Sequence, residues 1–434
     1  RSMKNPPEIP EEAKKQKDHK GGLEKSVELR NGSGESRSDS NALALVHLSA
    51  APVSLEIVNK TQRTVWIVLV VTLVLVLVLA VAIDIQIRPS HVTPYVALRR
   101  ERAAAAPPET NVLQRLILFG DAGYSTLEPW QASLAGIAQR ASISPEKTVV
   151  VALGDNIYPD GFPQVPEGQW TAGQRASVMA LDAQLRIARV SGARMILVPG
   201  NHDWRAGGME GQAVHIERTA SETGAQVSLR PYRAGQPPYP ESLDLPGVSV
   251  VFVDSEWMLR NDDATTEPAY EQFDGLLARI RAAHPGHLIV VVQHHPMETV
   301  GPHGRYQSGI RAWLRGTFRD WISGESADVD QPAYEKHIGR MRGILRKYQR
   351  VIHAGGHEHN LQLFHPVAGV GATYHLVSGA GNTKRLTGVW HNGNTRFALS
   401  QEGFVEMVVT RDGVYASFHD IHHVEAVAGF WLDL

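Results

Sequence analysis

Five short segments, each at the end of an apolar run, carry side chains that can bind metal ions. They are GDAG (120–123), GDNIY (154–158), GNHD (200–203), QHHP (293–296) and GHEH (356–359). Carboxylate, imidazole, amide and phenol groups together suit iron, manganese or zinc better than calcium. Two such ions about 3.5–4 Å apart can clamp a phosphate, acidify a bound water and stabilise the entering and leaving oxygens. The five segments therefore predict a two-metal site that cleaves phosphoesters.

Composition narrows the chemistry further. The 434 residues contain 43 Lys and Arg against 45 Asp and Glu, so no global basic field indicates a nucleic-acid partner. The absence of cysteine excludes disulfides, cysteine-ligated clusters and thiol nucleophiles, whereas 20 histidines supply nitrogen ligands. We therefore expect a small phosphorylated substrate and no nucleic acid, and the sequence leaves the oligomeric state open.

The N-terminal region has a different character from the rest of the chain. Residues 1–62 are rich in Lys, Glu, Ser and Gly, which predicts a disordered polar tail. The run 65–83 is apolar except for Thr72, and as a helix it would span roughly 28 Å, close to the thickness of a bilayer core. A buried core helix or strand is the alternative. We expect one transmembrane signal-anchor helix over 64–87, followed by a linker over 88–111.

Beyond the linker, apolar runs alternate with helical spacing, which is typical of an α/β domain and predicts a catalytic domain over 112–434. The predicted strands are 116–119, 148–153, 195–198, 249–253, 288–292 and 351–354. Apolar stripes predict helices over 134–141 and 334–348, and the segments 404–410 and 414–418 flank a hairpin turn. Because ligands of open α/β sheets gather at the carboxyl ends of strands, the five segments can converge. Their glycines would permit sharp turns with positive φ.

The five segments resemble the calcineurin-like metallophosphoesterases and, within them, the purple acid phosphatases of the small tartrate-resistant type. The resemblance covers about 113–422. Tyr158 is the discriminating residue, and the stretches GHEHNLQ (356–362) and SGAGN (378–382) add to it. The resemblance implies a β-sandwich flanked by helices, in α/β/β/α layers.

The resemblance also implies a role for each motif residue. One ion, of the Fe(III) type, would be held by three residues: Asp121, Tyr158 and His359. A second ion, divalent Fe, Zn or Mn, would be held by three others: Asn201, His294 and His357. Asp155 would bridge the two ions, and Asn156 would orient ligands through hydrogen bonds. His295 is interpreted as a neighbour of the ligands, and Glu358 as facing away from them.

Two further histidines would act on the substrate. His202 corresponds to a residue that contacts the substrate phosphate and the attacking water. His303 lies nine residues after His294, the spacing of an outer histidine that binds phosphate or protonates the leaving alcohol. The Gly-, Pro- and Arg-rich stretch 207–240 could form part of the substrate rim.

The sequence thus predicts a membrane-anchored acid phosphatase that hydrolyses phosphomonoesters by direct attack of a metal-bound hydroxide. Basic residues flank the apolar run on both sides, so the residues alone leave its orientation open. The resemblance places the catalytic domain on the extracytoplasmic side. One alternative is a phosphodiesterase or nucleotide pyrophosphatase with the same site, and another is a non-catalytic membrane receptor that retains the fold.

Overall fold

The computed structural model describes residues 55–86, 95–96, 105–205, 207–303, 331–366 and 373–434. The chain divides into two compact units, Arg1–Val78 and Leu79–Leu434. Residues 1–54 of the predicted polar tail lie outside the described residues. Residues 55–62 of the predicted tail belong to helix α1 (Leu55–Gln86), which begins before the apolar run.

The segment predicted to cross a membrane, 64–87, lies almost wholly within helix α1. Among the residues that the structure describes, however, no helix combines the length and hydropathy that a bilayer span requires. The prediction of a helix is confirmed, and the prediction of a membrane span has no support here. An apolar run favours regular structure by itself, but its composition alone does not determine what surrounds the helix.

Two β-sheets form the core of the second unit. Their strands are β1 (Tyr95–Val96), β2 (Val112–Phe119), β3 (Thr148–Ala152), β4 (Arg194–Leu197), β5 (Val227–Leu229), β6 (Glu241–Leu245), β7 (Val248–Phe252), β8 (Leu288–Val292), β9 (Val351–Gly355), β10 (Leu361–Phe364), β11 (Thr373–Ser378), β12 (Thr395–Leu399), β13 (Gly403–Thr410), β14 (Val414–Asp420) and β15 (Ala428–Leu432). Sheet I has the order β1-β12-β10-β11-β9-β8-β7-β6, and sheet II has the order β15-β14-β13-β2-β3-β4-β5. All six predicted strands and the predicted hairpin are present, with ends that shift by at most a few residues.

Each sheet contains a parallel block. Strands β2 to β5 run parallel in sheet II, and β7, β8, β9 and β11 run parallel in sheet I. Most residues of these strands are apolar and buried, because both faces of the central strands are covered. Parallel strands end at the same edge of a sheet, so the segments that follow them are gathered at one edge of each sheet.

Helices cover the outer faces of both sheets. They are α2 (Ala132–Ala141), α3 (Ala172–Ser191), α4 (Glu210–Thr223), α5 (Ser255–Arg260), α6 (Asp263–Ala283) and α7 (Pro332–Leu345). In β2, Leu116 and Leu118 enter the core between the sheets, whereas Ile117 and Phe119 enter the core beneath α2, α3 and α4. The outer face of sheet I packs against α6 and α7. The predicted α/β/β/α layering is therefore confirmed for the described residues.

Two parts of the chain carry more regular structure than the sequence patterns indicated. Within the predicted linker, Tyr95 and Val96 form β1, which pairs with β12 at the edge of sheet I. The stretch 207–240, interpreted as a substrate rim, contains α4 and β5 and buries Met209 and Ile216 in the core. The apolar residues of this stretch are widely spaced among many Gly, Pro and Arg residues. The sequence pattern therefore did not indicate the helix that packs on sheet II.

Candidate metal centre

The five predicted segments follow five parallel strands directly, namely β2, β3, β4, β8 and β9. Backbone hydrogen bonds join neighbouring segments within each sheet, such as Asp121 N–H to Gly154 O at 3.0 Å and Gly356 N–H to His294 O at 2.9 Å. The His357 N–H donates to Asp121 Oδ2 at 2.8 Å and so joins the two sheets at this edge. The carboxyl ends of both parallel blocks therefore face one shared cleft.

The turns that present the ligands are conformationally unusual. Among the described residues, four other than glycine have positive φ, and three of them are Asp121 (59°), Asp155 (53°) and His357 (67°). Left-handed backbone at such residues costs about 1–3 kcal/mol each and persists where the surroundings enforce it. The sequence interpretation assigned this conformation to the glycines, and Gly154 (90°) adopts it, but these three predicted ligands adopt it as well. Gly200 is needed for close approach instead, since a Cβ there would lie 2.1 Å from Asp155 N.

One set of donors surrounds the Tyr158 hydroxyl. This oxygen lies 3.0 Å from Asp121 Oδ1 and 3.3 Å from His359 Nε2. His359 Nε2 is in turn 3.4 Å from Asp121 Oδ1. All three side chains are buried. We call Asp121, Tyr158 and His359 the tyrosine group.

A second set of donors surrounds His294 Nε2. Asn201 Oδ1 lies 3.0 Å from this nitrogen, and His357 Nδ1 lies 3.2 Å from it. His294 Nδ1 is 2.8 Å from the carbonyl oxygen of Leu153, so Nδ1–H donates a hydrogen bond to it and the Nε2 lone pair is directed into the cleft. We call Asn201, His294 and His357 the histidine group.

Asp155 stands between the two groups. Its Oδ2 lies 2.8 Å from the Tyr158 hydroxyl, and its Oδ1 lies 3.4 Å from His294 Nε2. Neighbouring ligands of an ion with bonds near 2.0–2.2 Å are separated by about 3.0–3.4 Å, which the distances within both groups match closely. Ligand atoms of Asp121, Asp155 and His294 also lie within 4.8 Å of one another. The donor set therefore fits two metal ions bridged by Asp155.

Burial and the closeness of two carboxylates make the ionised forms of Asp121 and Tyr158 unfavourable when no cation is bound. Burial, together with the charge of Asp155, raises the pKa of Asp121 well above its usual value. Burial and the two carboxylates likewise raise the pKa of Tyr158. Burial alone would also raise the pKa of Asp155, but His294 and His202 outweigh it and lower that pKa. Metal binding to the tyrosine group must therefore displace protons.

The two predicted substrate histidines lie beside the donor groups. His202 Nδ1 is 2.5 Å from the carbonyl oxygen of Pro159, and its Nε2 lies 4.0 Å from Asp155 Oδ2. Burial lowers the pKa of His202, which favours the neutral imidazole. The ring centroid of His303 lies 4.6 Å from that of His357, on the side of the histidine group. The two histidines thus approach the centre at different donor groups.

His295 and Asn156 lie next to the ligands. The side chain of His295 is completely buried, and its Nδ1 is 2.9 Å from Ser255 Oγ. Asn156 Nδ2 donates to Asp203 Oδ2 at 3.0 Å and to Val198 O at 2.9 Å. Their positions agree with supporting roles, and their assignment remains a prediction.

Asp203 is a structural residue of the site that the sequence interpretation did not assign. Its carboxylate accepts hydrogen bonds from the backbone N–H groups of Gly200 at 2.8 Å and Ile157 at 3.0 Å. These hydrogen bonds link the segment GNHD (200–203) to the segment GDNIY (154–158). Its place at the end of GNHD was the available signal, but only the fold shows where the carboxylate points.

Glu358 lies between two predicted ligands and, as expected, points away from them. Its Oε1 accepts hydrogen bonds from the backbone N–H of His303 at 2.8 Å and from Thr299 Oγ1 at 3.1 Å. The side chain is completely buried against Gly301, where an added Cβ would overlap it. Glu358 therefore holds the loop that carries His303 against the fifth segment.

Arg385 also lies at the centre, although no motif indicated it. Its Nη1 is 3.2 Å from His202 Nε2, and its guanidinium carbon lies 4.9 Å from the centroid of the Tyr158 ring. Lys384 occupies a similar position over the ring of Tyr124, which stacks on Tyr158. Arg385 therefore lies over the tyrosine group, whereas Lys384 lies over the neighbouring ring of Tyr124.

Comparisons with known proteins bear on this centre. Residues 115–361, which include all five segments, match the family model described as calcineurin-like phosphoesterase. A comparison with curated proteins found no match.

Solved structures give weaker similarities. GAP50, the anchor in the inner membrane complex of Plasmodium, is 15% identical over 74% of this chain and 89% of its own, with a TM-score of 0.47. The calcineurin-like phosphoesterase YfkN from Bacillus subtilis is 13% identical over 74% of this chain and 90% of its own, with a TM-score of 0.33. A predicted phosphoesterase from Streptococcus pneumoniae is 9% identical over 73% of this chain and 96% of its own, with a TM-score of 0.27.

Proposed function

This chain belongs to the calcineurin-like phosphoesterase family, and on that premise we propose that it is a two-metal acid phosphatase that hydrolyses phosphomonoesters. The observation that carries the proposal is the position of Asp155. One of its carboxylate oxygens faces the tyrosine group and the other faces the histidine group. A carboxylate shared in this way is what two closely spaced ions require.

The chemistry of the donors supports different metals in the two groups. The tyrosine group offers a carboxylate, a phenol and one imidazole, a hard and anionic set that suits Fe(III). The histidine group offers two imidazoles and a neutral amide, which suit divalent Fe, Zn or Mn. When bound, two such ions would polarise the phosphate and lower the pKa of a coordinated water. The phenol of Tyr158 supports the purple acid phosphatase type that we propose for this chain.

The remaining residues act on the substrate. The Nδ1–H of His202 donates a hydrogen bond to Pro159 O. Its Nε2 therefore faces the cleft as an acceptor, or as a donor once protonated. His303 lies beside the histidine group, where an imidazole could donate a proton to the departing alkoxide. Glu358 fixes the backbone that carries His303, so the position of this proton donor depends on the fifth segment.

Metal content measured together with the visible absorption spectrum tests the proposal most directly. We expect two ions per chain and an absorption band from the Tyr158 phenolate bound to Fe(III). A purified protein that binds no iron, zinc or manganese would instead favour the non-catalytic receptor.

The reaction class requires a second measurement. Rates on an aryl phosphomonoester and on the corresponding diester should favour the monoester. A strong preference for the diester would establish the phosphodiesterase or nucleotide pyrophosphatase alternative. Both substrates should be assayed on the same metal-loaded preparation, so that incomplete metal loading cannot imitate a preference.

A further inference from the structure

Arg385 is held in place by contacts on both sides of its segment. On one side, the Gly381 N–H donates to Gly120 O at 3.0 Å in the first motif. On the other side, the Thr387 N–H donates to His359 O at 3.0 Å in the fifth motif. The backbone of Arg385 is therefore positioned by the same segments that carry the ligands of the tyrosine group.

The guanidinium group of Arg385 faces a neutral partner. The Nδ1–H of His202 donates a hydrogen bond to Pro159 O, so His202 Nε2 is free of a proton and accepts a hydrogen bond from Arg385 Nη1 at 3.2 Å. Among the residues that the structure describes, no carboxylate lies within salt-bridge distance of this guanidinium. A guanidinium has five N–H donors in a planar fork, and a single bond to an imidazole uses only one of them.

The position of these unused donors suits an anion at the metal centre. Arg385 lies over the ring of Tyr158, whose hydroxyl is shared between Asp121 and Asp155. Its side chain is exposed, so a ligand that enters from solvent can reach it. Arginine recognises phosphate through two parallel hydrogen bonds.

We infer that Arg385 is a phosphate-binding residue that pairs with non-bridging oxygens of the substrate and thereby favours phosphomonoesters over diesters. This inference rests on the proposed function. A monoester presents three non-bridging oxygens and up to two negative charges, whereas a diester presents two such oxygens and one charge. Bidentate pairing with Arg385 therefore gains more from the monoester.

Inorganic phosphate is the probe, measured by calorimetric titration of the metal-loaded protein. Arg385→Ala should weaken phosphate binding by about tenfold to a hundredfold, the loss expected for a hydrogen bond to a charged group. Arg385→Lys should recover part of the affinity, because it retains the charge but not the planar fork. Metal content and thermal midpoint are measured for each variant, and Arg385→Gln is used if the alanine variant does not fold.

Lys384→Ala is the matched control. It removes the same charge from the neighbouring residue, whose ammonium lies 5.1 Å from the centroid of the Tyr124 ring and not over Tyr158. Phosphate affinity should change by no more than about threefold in this variant, the effect of an exposed charge acting at longer range. Equal losses in the two variants would indicate a general electrostatic effect and would overturn the inference.

A purely positional role through His202 is distinguished by a double-mutant cycle. In a His202→Ala background, Arg385→Ala should again weaken phosphate binding by a similar factor, because Arg385 contacts the phosphate itself. If it causes no additional loss there, Arg385 acts through His202, and the inference is overturned. In steady-state kinetics, Arg385→Ala should raise KM more than it lowers kcat and should reduce the ratio of monoester to diester kcat/KM.

Failure of this inference can be told apart from failure of the proposed function. An active phosphatase whose phosphate affinity does not depend on Arg385 overturns only the inference. A protein that hydrolyses neither ester class but binds phosphate through Arg385 overturns only the proposed activity. A metal-loaded wild-type protein without measurable phosphate binding overturns the inference directly.

Discussion

The tyrosine group and the histidine group lie side by side and share Asp155, yet they differ in charge and in how they are held. The tyrosine group contains a carboxylate and a phenol whose pKa values are both raised by burial. The histidine group consists of two imidazoles and an amide, and the orientation of His294 is set by a backbone carbonyl. The same strand-end geometry therefore produces one half with acidic donors and one half without them, and the difference comes from side-chain type.

The residues that surround the tyrosine group also differ from those that surround the histidine group. The exposed side chain of Arg385 covers the tyrosine group over the ring of Tyr158. The histidine group is flanked by His303, whose backbone is held by Glu358. The two histidines predicted to act on the substrate thus lie on different sides, because His202 bonds Arg385 whereas His303 lies next to His357. Selective substitutions should separate metal retention, colour and substrate binding.

The largest loss of metal ions and of turnover is expected from a substitution that affects both donor groups at once. Asp155→Asn removes the carboxylate that faces both groups, so both ions should be lost and turnover should fall on the order of a thousandfold or more. Metal analysis and kcat measure this. Asp160→Asn, which changes an exposed carboxylate nearby, is the control. Normal metal content in Asp155→Asn would refute the bridge.

The next largest effect is expected from His294→Ala, which damages the histidine group alone. His294 contacts Asn201 and His357, so its loss should release the divalent ion and lower kcat/KM by about a hundredfold. The visible band should remain, since the tyrosine group is left intact. Loss of the band together with the divalent ion would mean that the two groups are not separable.

Tyr158→Phe should affect the tyrosine group alone and with a smaller loss of activity. The phenylalanine ring preserves packing, while the oxygen that lies 2.8 Å from Asp155 Oδ2 is removed. We expect the visible band to disappear, the divalent ion to remain, and turnover to fall by about tenfold. Tyr124→Phe, in the ring stacked on Tyr158, is the matched control. An unchanged absorption spectrum in Tyr158→Phe would exclude this residue as a ligand.

The smallest effect is expected outside both groups and sets the baseline for pH comparisons. Burial lowers the pKa of His337, beneath sheet I, to about 4. Below about pH 6.5 the unfolded chain binds a proton that the folded chain does not, so the free energy of unfolding falls as the pH drops toward 4. His337→Gln should reduce this slope by up to about 1.4 kcal/mol per pH unit in urea titrations.

The same change at exposed His422 serves as the control for the pH experiment. A slope that is identical in wild type and His337→Gln would contradict the assignment. Acid sensitivity left after this correction includes the metal centre, where protons compete with metal ions for Asp121 and Tyr158. It also includes the buried histidines His353 and His375 of sheet I, because burial lowers the pKa of both.

The sequence alone was sufficient for the strands that carry the motifs. Their apolar runs are continuous because the central strands are buried on both faces, so β8 was predicted at its observed bounds, Leu288–Val292. Helix α4 was missed because only a few of its apolar residues, including Ala213 and Ile216, face the core. For α1 the apolar run predicted a helix, which is present, and a membrane span, which has no support among the described residues. Local periodicity reports the burial of neighbouring residues and little else.

The residue types in the five segments determined which chemistry this protein can perform, because oxygen and nitrogen donors at strand ends limit the metals and the reaction. Only the tertiary structure decided how those donors are shared. It directs one oxygen of Asp155 to each group and brings together residues far apart in the chain, such as Tyr158 and His359, 201 positions apart, and His202 and Arg385, 183 apart. No local pattern encodes such contacts, since they depend on how the two sheets meet.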